Sequence, residues 1–391
     1  MDRRFEHLAL VRWPFPVVPD QAFSNFMADR VQLKTDIEDL LRILCRRDTS
    51  SIHLLWAWFG AGKTHSLFYI SDQASLANGN CTNNGLYPVY SEFPRAVKGF
   101  VDLYRSLAEG FSVDLLADSF LEISTCSESK SFQQQMLHSS PDLANALTQI
   151  AMGDAHQQLT AFRWLRAENL PLAQLRGVGI SKRIDSAEEA LRIAVALMTL
   201  IRFADRARGR PGTMILWMID EFQRIAKCSP RVCQEVNVGL HSLFNATPNG
   251  LAIFISFSGT PQKKLPDWFG RELKDRLARA KMMLLPPLTF EESLLFLRNV
   301  LSRFRLPGSN ADAYFPFTQE SAKLVLTEVN KHGQLKPRAI MQAFGAVLEE
   351  ADQRIEAGTM KSIDSAFAQR ALAERLTFSD GEEDEPSAAL E

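Results

Sequence analysis

The chain has 391 residues, too many for one small domain and enough for a large α/β core plus a second domain. Its composition, 46% apolar and 23% charged, is that of an ordinary globular protein. No run of about 18 apolar residues is present, which excludes a membrane-spanning helix, and the charged start Met1–Glu6 lacks the apolar stretch of a secretory signal. The net charge of −2 conceals an asymmetry, because Asp380, Glu382, Glu383, Asp384, Glu385 and Glu391 crowd a last stretch without Lys or Arg. The remainder is weakly basic, which permits a contact with nucleic acid without demanding one.

In chain order, residues 1–26 are rich in Pro and aromatics (Trp13, Pro14, Phe15, Pro16, Pro19, Phe23, Phe26) and read as an extended arm lying on the core. Val31, Ile37, Leu40, Leu41 and Leu44 have helical spacing and predict a helix over Arg30–Arg46. Ile52–Phe59 is a short apolar run ending in Gly60-Ala61-Gly62, the pattern of a buried strand entering a Gly-rich turn, and a helix follows over Thr64–Ser71. A second strand is expected at Tyr87–Phe93 and a helix through Lys98–Phe111. Residues 112–200 are mostly helical and too long for a simple crossover, so they read as an insertion. Further strands are expected at Thr213–Ile219, Leu251–Phe257 and Lys281–Leu285, and the pattern is helical from Pro286 to about Thr377. Strands alternating with helices imply a doubly wound parallel sheet with helices on both faces. Phe378–Glu391 has the composition of a disordered acidic tail. Cys45, Cys81, Cys126, Cys228 and Cys233 are scattered and odd in number; they form no zinc pattern and suit a reducing compartment, the cytoplasm.

Ala57-Trp58-Phe59-Gly60-Ala61-Gly62-Lys63-Thr64 fits the phosphate-loop pattern, with Ala in place of the usual first Gly. Small residues let the backbone curl so that successive N–H groups face phosphate oxygens, and the following helix adds the field of its N-terminus. The stretch Ala57, Gly60, Ala61, Gly62, Lys63, Thr64 and His65 is therefore the candidate binding segment for ATP. Lys63 is placed to reach the β- and γ-phosphates, and the Thr64 hydroxyl to ligate Mg2+.

Downstream, Met214–Ile219 is an apolar strand ending in Asp220-Glu221. Two adjacent acids at the end of a buried strand are costly unless they meet a cation or water. Asp220 is the candidate for the magnesium shell, and Glu221 for the base that polarises the attacking water. A third strand, Leu251–Phe257, runs into Ser258-Gly259-Thr260. Ligands of doubly wound sheets lie beyond the carboxyl ends of the strands, so Ser258 or Thr260 is placed to touch the γ-phosphate. The basic stretch Arg271–Lys281 offers Arg276 or Arg279 as an arginine finger to a neighbouring subunit. Lys336-Pro337-Arg338 opens a later helix, from which Arg338 can point back at the nucleotide.

This order of motifs resembles the AAA+ superfamily of P-loop ATPases over roughly residues 20–350. Phe26-Met27-Ala28-Asp29-Arg30 looks like the start of that family's N-terminal helix, which helps cover the adenine. Asp275–Arg279 followed by Leu284–Glu292 is similar to the origin-recognition, transposition-regulator and ExeA-like branch. Phe162–Arg166 with Leu175–Ile180 looks like a segment of bacterial defence-associated, phage-exclusion ATPases.

The resemblance implies an N-terminal arm (1–29), an α/β ATPase core (30–285) with its helical insertion, a helical lid domain (286–377) and the acidic tail. It further implies ATP hydrolysis with Mg2+ in a homo-oligomer, coupled to DNA or a protein partner of a defence or mobile-element system. A STAND-like slow switch that recruits an effector is the alternative. No winged-helix pattern is apparent after the lid segment, so autonomous, sequence-specific DNA binding is not expected of these residues.

Overall fold

The computed structural model describes residues 5–16, 24–28, 30–77, 84–125, 140–259, 264–277 and 280–375. The acidic tail, Thr260 and Arg279 lie outside the described residues. In chain order the elements are α1 (Val31–Arg46), β1 (Ser51–Ala57), α2 (Lys63–Ala77), β2 (Asn84–Glu92), α3 (Phe100–Ala108) and α4 (Val113–Thr125). Then come α5 (Pro141–Met152), α6 (Ala155–Leu165), α7 (Leu172–Gly177), α8 (Ala187–Ala207), β3 (Gly212–Asp220), α9 (Pro230–Ala246) and β4 (Leu251–Ser258). The last are α10 (Arg271–Leu277), β5 (Lys281–Leu285), α11 (Phe290–Arg303), α12 (Gln319–Lys331), α13 (Pro337–Glu356) and α14 (Ser365–Arg375).

The five strands form one sheet in the order β2-β3-β4-β1-β5, and β1 with β4, β3 with β4 and β2 with β3 pair in parallel. The sequence shows why this order holds. Residues 52–57 of β1 and all of β4 are buried, as are 214–220 of β3, which is what continuous apolar runs inside a parallel sheet require. β2 lies at one edge and contains Pro88, a residue without an N–H that an edge strand accommodates. The strands expected from sequence are present, with ends shifted by up to three residues. The helices α4 to α8 occupy the long segment before β3, and residues 126–139 within it are outside the description.

The chain divides into two compact units, residues 32–57 with 66–284 and residues 1–31 with 58–65 and 285–391. The first holds the sheet and a core built from Leu54, Trp217, Ile219, Phe257, Leu197 and Phe162 among others. The second is helical, with a core in which Leu8, Leu10 and Phe15 pack with Phe317, Phe344 and Leu348. The N-terminal segment is thus an integral part of the helical unit, not a purely extended arm. It forms a short 3-10 turn at Glu6–Leu8, bridges Leu10 to Arg305, and pairs His7 Nε2 with Asp352 at 2.6 Å. Burying these aromatic and aliphatic side chains removes apolar surface from water, the dominant favourable term in packing.

Cys45 is disulfide-bonded while Cys228 and Cys233 are free thiols, a departure from the expectation of reduced cysteines that spacing in the sequence does not disclose. Among the described residues no helix is long and apolar enough to cross a membrane.

One core residue makes the sheet sensitive to acid. His53 on β1 is buried against Phe254, with ring centroids 4.9 Å apart, and its Nε2 contacts Ser51 Oγ at 2.8 Å. Burial, and then the Lys281 charge, hold its imidazole at about 4 against an ordinary 6.5. Between these values the unfolded chain binds the proton and the folded chain does not, so stability falls as pH falls. Relative to pH 7, this residue is expected to cost roughly 2 kcal/mol of stability at pH 5. Urea unfolding at the two pH values checks it: His53→Leu should remove that part of the pH dependence, and an unchanged slope would refute the assignment.

Candidate active site

The candidate residues form two groups, each described within its own compact unit. In the sheet unit, β3 delivers Asp220 and Glu221 at its carboxyl end. Asp220 is only 1% exposed. Its Oδ1 accepts from Ser256 Oγ and from the Glu221 N–H, both at 2.8 Å, and its Oδ2 from the Tyr90 hydroxyl at 3.4 Å. Burial, followed by the charge of Asp220, pushes the Tyr90 phenol far above its ordinary range, so it stays a donor. A carboxylate in this environment is fixed in direction by its hydrogen bonds.

Glu221 adopts a left-handed backbone conformation, φ 57° and ψ 31°. For a residue with a side chain this costs on the order of 1–2 kcal/mol and persists only where surroundings over-determine it. Here its N–H is held by Asp220, its carbonyl accepts from Arg224 N at 3.0 Å, and its Oε2 accepts from Gln223 Nε2 at 2.8 Å. The chain then enters a 3-10 turn, Phe222–Lys227, whose Phe222 is fully buried. That ring stacks on Phe269 at 5.5 Å and meets Phe93 edge-on at 5.2 Å, while Phe257 of β4 meets Trp268 and Phe269 edge-on. The aromatic cluster pins the turn directly behind the two acids.

β4 places Ser256 and Ser258 on one face, two residues apart. Ser258 is buried, pairs in register with Ala57, and gives its N–H to Gln223 Oε1 at 2.9 Å. Ala57 is the last residue of β1 and the first of the phosphate-loop sequence; Gly259 N donates to its carbonyl at 3.0 Å. The carboxyl ends of β3, β4 and β1 therefore carry Asp220, Ser258 and Ala57 side by side. Arg276 on α10 is committed to α9: its Nη2 donates to Asn245 Oδ1 at 2.8 Å and its guanidinium lies 5.6 Å from the Phe244 ring centroid.

In the helical unit, residues 58–65 form the Gly-rich loop and the first residues of α2. Gly60 and Gly62 have φ of +75° and +97°, which is why small residues without Cβ stand there. At Gly60 an added Cβ would also lie 3.3 Å from the Arg338 Cβ. Lys63 opens α2 and is 7% exposed. His65 Nε2 donates to the Phe26 carbonyl at 2.6 Å, tying the loop to the N-terminal segment. Burial lowers the proton affinity of that ring and the Phe26 bond partly counters it. Arg338 is the second residue of α13; its backbone N–H reaches the Gly60 carbonyl at 3.2 Å, and Lys336 lies beside the same glycine. Among the described residues no carboxylate pairs with the Arg338 guanidinium or the Lys336 ammonium.

The sequence-derived residues thus fall into two assembled groups: Asp220, Glu221, Ser258 and Ala57 in one, Gly60, Ala61, Gly62, Lys63, Thr64, His65 and Arg338 in the other. Tyr90, Ser256 and Gln223 were not anticipated. A lone serine inside an apolar strand two places before Ser258 was the available signal for Ser256; nothing local marked the other two. Among the described residues no group of three or more His, Cys, Asp or Glu side chains is arranged to hold a metal.

No family model matches the sequence, and no curated protein matches it. Among solved structures the chain is similar to the Aeropyrum pernix ORC2 protein in ADPNP–ADP complexes, at 16% identity, 90% of this chain, 70% of that one and a TM-score of 0.47. It is similar to the Aeropyrum pernix ORC1 protein in complex with DNA at 12% identity, 94% and 70% coverage and a TM-score of 0.48. It is also similar to domain III of the Thermotoga maritima replication initiation protein DnaA at 15% identity, 92% and 98% coverage and a TM-score of 0.42. The architecture rests on the chain's own elements: an α/β fold with a five-stranded parallel sheet, a phosphate-loop sequence following β1, and a helical C-terminal region.

Proposed function

We propose that the chain is a magnesium-dependent ATPase of the AAA+ type. The observation that carries this reading is the arrangement at the carboxyl ends of the central strands. There a buried Asp220, oriented by hydrogen bonds, and a strained Glu221 stand at the end of β3, and at the end of β4 stands Ser258, whose register partner Ala57 begins the phosphate loop. Strained backbone at such a place is a sign of a functional constraint.

In this reading the loop N–H groups and Lys63 hold the β- and γ-phosphates. Thr64 and Asp220 would hold Mg2+ through the hard oxygen atoms that suit this ion. When bound, the ion neutralises charge that builds on the phosphate oxygens. Glu221 takes a proton from water as its oxygen bonds the γ-phosphorus; the bond to the β-bridging oxygen breaks and ADP leaves. Ser258 contacts the γ-phosphate, and Arg338 senses it from the helical unit. A homo-oligomer in which Arg276 or Arg279 completes a neighbour's site, acting on DNA or a protein partner in defence or mobile-element machinery, is the fuller form of the proposal.

The test is phosphate release from ATP with Mg2+, with and without double-stranded DNA, followed by sizing with a non-hydrolysable analogue. Magnesium-dependent release and a nucleotide-dependent change in size are expected. Absence of both binding and release would overturn the ATPase reading, and a strict monomer in every nucleotide state would remove the oligomer.

A second reading, a slow ATP switch that recruits an effector, is favoured by one contact: the Arg338 N–H on the Gly60 carbonyl ties the phosphate loop to α13 within one compact unit. Ligand state then biases that unit directly. Hydrolysis much slower than partner release supports the switch; fast multiple turnover removes it.

A further inference from the structure

Gln223 stands two residues after Glu221, inside the 3-10 turn that the aromatic cluster holds in place. Its side-chain amide is used in both directions. Nε2 donates to Glu221 Oε2 at 2.8 Å, and Oε1 accepts from the Ser258 N–H at 2.9 Å. The orientation of the amide is settled by its partners: a backbone N–H can only donate and a carboxylate oxygen can only accept. Ser258 ends β4, where its pairing with Ala57 and the Gly259 N–H on the Ala57 carbonyl fix the strand end. The sheet therefore aims the amide, and the amide aims the carboxylate.

We infer that Gln223 is a positioning residue for the water-activating step, an inference that rests on the ATPase reading. One oxygen of Glu221 is held by Gln223, so the direction of the carboxylate is set by the end of β4. Ser258, the residue assigned to the γ-phosphate, and Glu221, the residue assigned to water, are joined through one side chain. A shift of the strand end on γ-phosphate contact or release is passed to the base by two hydrogen bonds. The left-handed backbone at Glu221 belongs to the same device, because it turns the carboxylate back toward residue 223.

Two variants of the full chain separate this role from a packing role. Gln223→Met keeps length and bulk and loses both hydrogen bonds. Gln223→Glu keeps an acceptor for the Ser258 N–H but sets a carboxylate against Glu221. Both are expected to lower kcat on the order of ten- to a hundred-fold, with KM for ATP and Kd for a non-hydrolysable analogue within about two-fold of the parent. Combining Gln223→Met with Glu221→Gln should add little to the loss from Glu221→Gln alone, because the two residues act as one unit.

The inference is overturned if Gln223→Met turns over at the parent rate, or if Gln223→Glu does while Gln223→Met does not. It is equally overturned if the losses multiply in the double variant. Each of these results leaves the ATPase reading standing, whereas a parent protein that neither binds nor hydrolyses ATP removes that reading itself.

Discussion

Lys63→Ala is expected to weaken ATP binding on the order of a hundred-fold or more, because the ammonium that the proposed reading sets against two phosphates is lost with no substitute. Lys63 is the charged side chain of the loop, it is buried, and it lies in the first turn of α2. The rise in melting temperature that ATP and Mg2+ produce in the parent should vanish. Calorimetric titration together with thermal melting reads both. A Lys63→Ala protein that binds ATP as tightly as the parent would show that the nucleotide, if any, sits elsewhere.

Glu221→Gln separates binding from chemistry. The substitution keeps shape and length, and the amide oxygen can still accept from Gln223, so the left-handed turn and its hydrogen bonds are preserved. What is lost is the ability to take a proton from water. Hydrolysis is expected to fall by roughly 10²–10⁴-fold with nucleotide affinity nearly unchanged, the signature of a group that acts in the transition state alone. Phosphate release and analogue binding, measured on the same preparation, check it. Hydrolysis at the parent rate would remove Glu221 as the base. The two variants together are more informative than either alone, since Lys63→Ala lowers occupancy and Glu221→Gln preserves it.

Much of the architecture was legible along the chain because its signals are local. Continuous apolar runs at residues 52–57, 214–219 and 251–257 predict fully buried strands, since alternation is lost when both faces of a strand are covered. Gly60 and Gly62 announce positive φ angles, and the structure places both there. Asp220-Glu221 at the end of an apolar run marks a polar strand end inside the protein. Each of these depends on a residue and its close neighbours.

The rest depends on residues far apart in sequence. Tyr90 and Ser256 reach Asp220 across 130 and 36 positions, and only strand order brings them together. The N-terminal segment reads as an extended arm because its prolines and aromatics carry no periodicity, yet Leu8, Leu10 and Phe15 share one core with the helical unit, where the Phe15 ring meets Phe317 and Phe344. Gln223 carries no signature of its own, since its role comes from the two atoms that face it.

From its residue order alone this chain specifies the strands, the glycine loop and the identities of Lys63, Asp220 and Glu221, because backbone sterics and burial of apolar runs act over a few residues at a time. Which hydroxyl holds Asp220, what turns Glu221 into a left-handed conformation, and which unit contains residues 58–65 are settled by packing between distant segments. Hydrogen-bond geometry is sensitive to tenths of an ångström, and no pattern along the chain encodes distances that small.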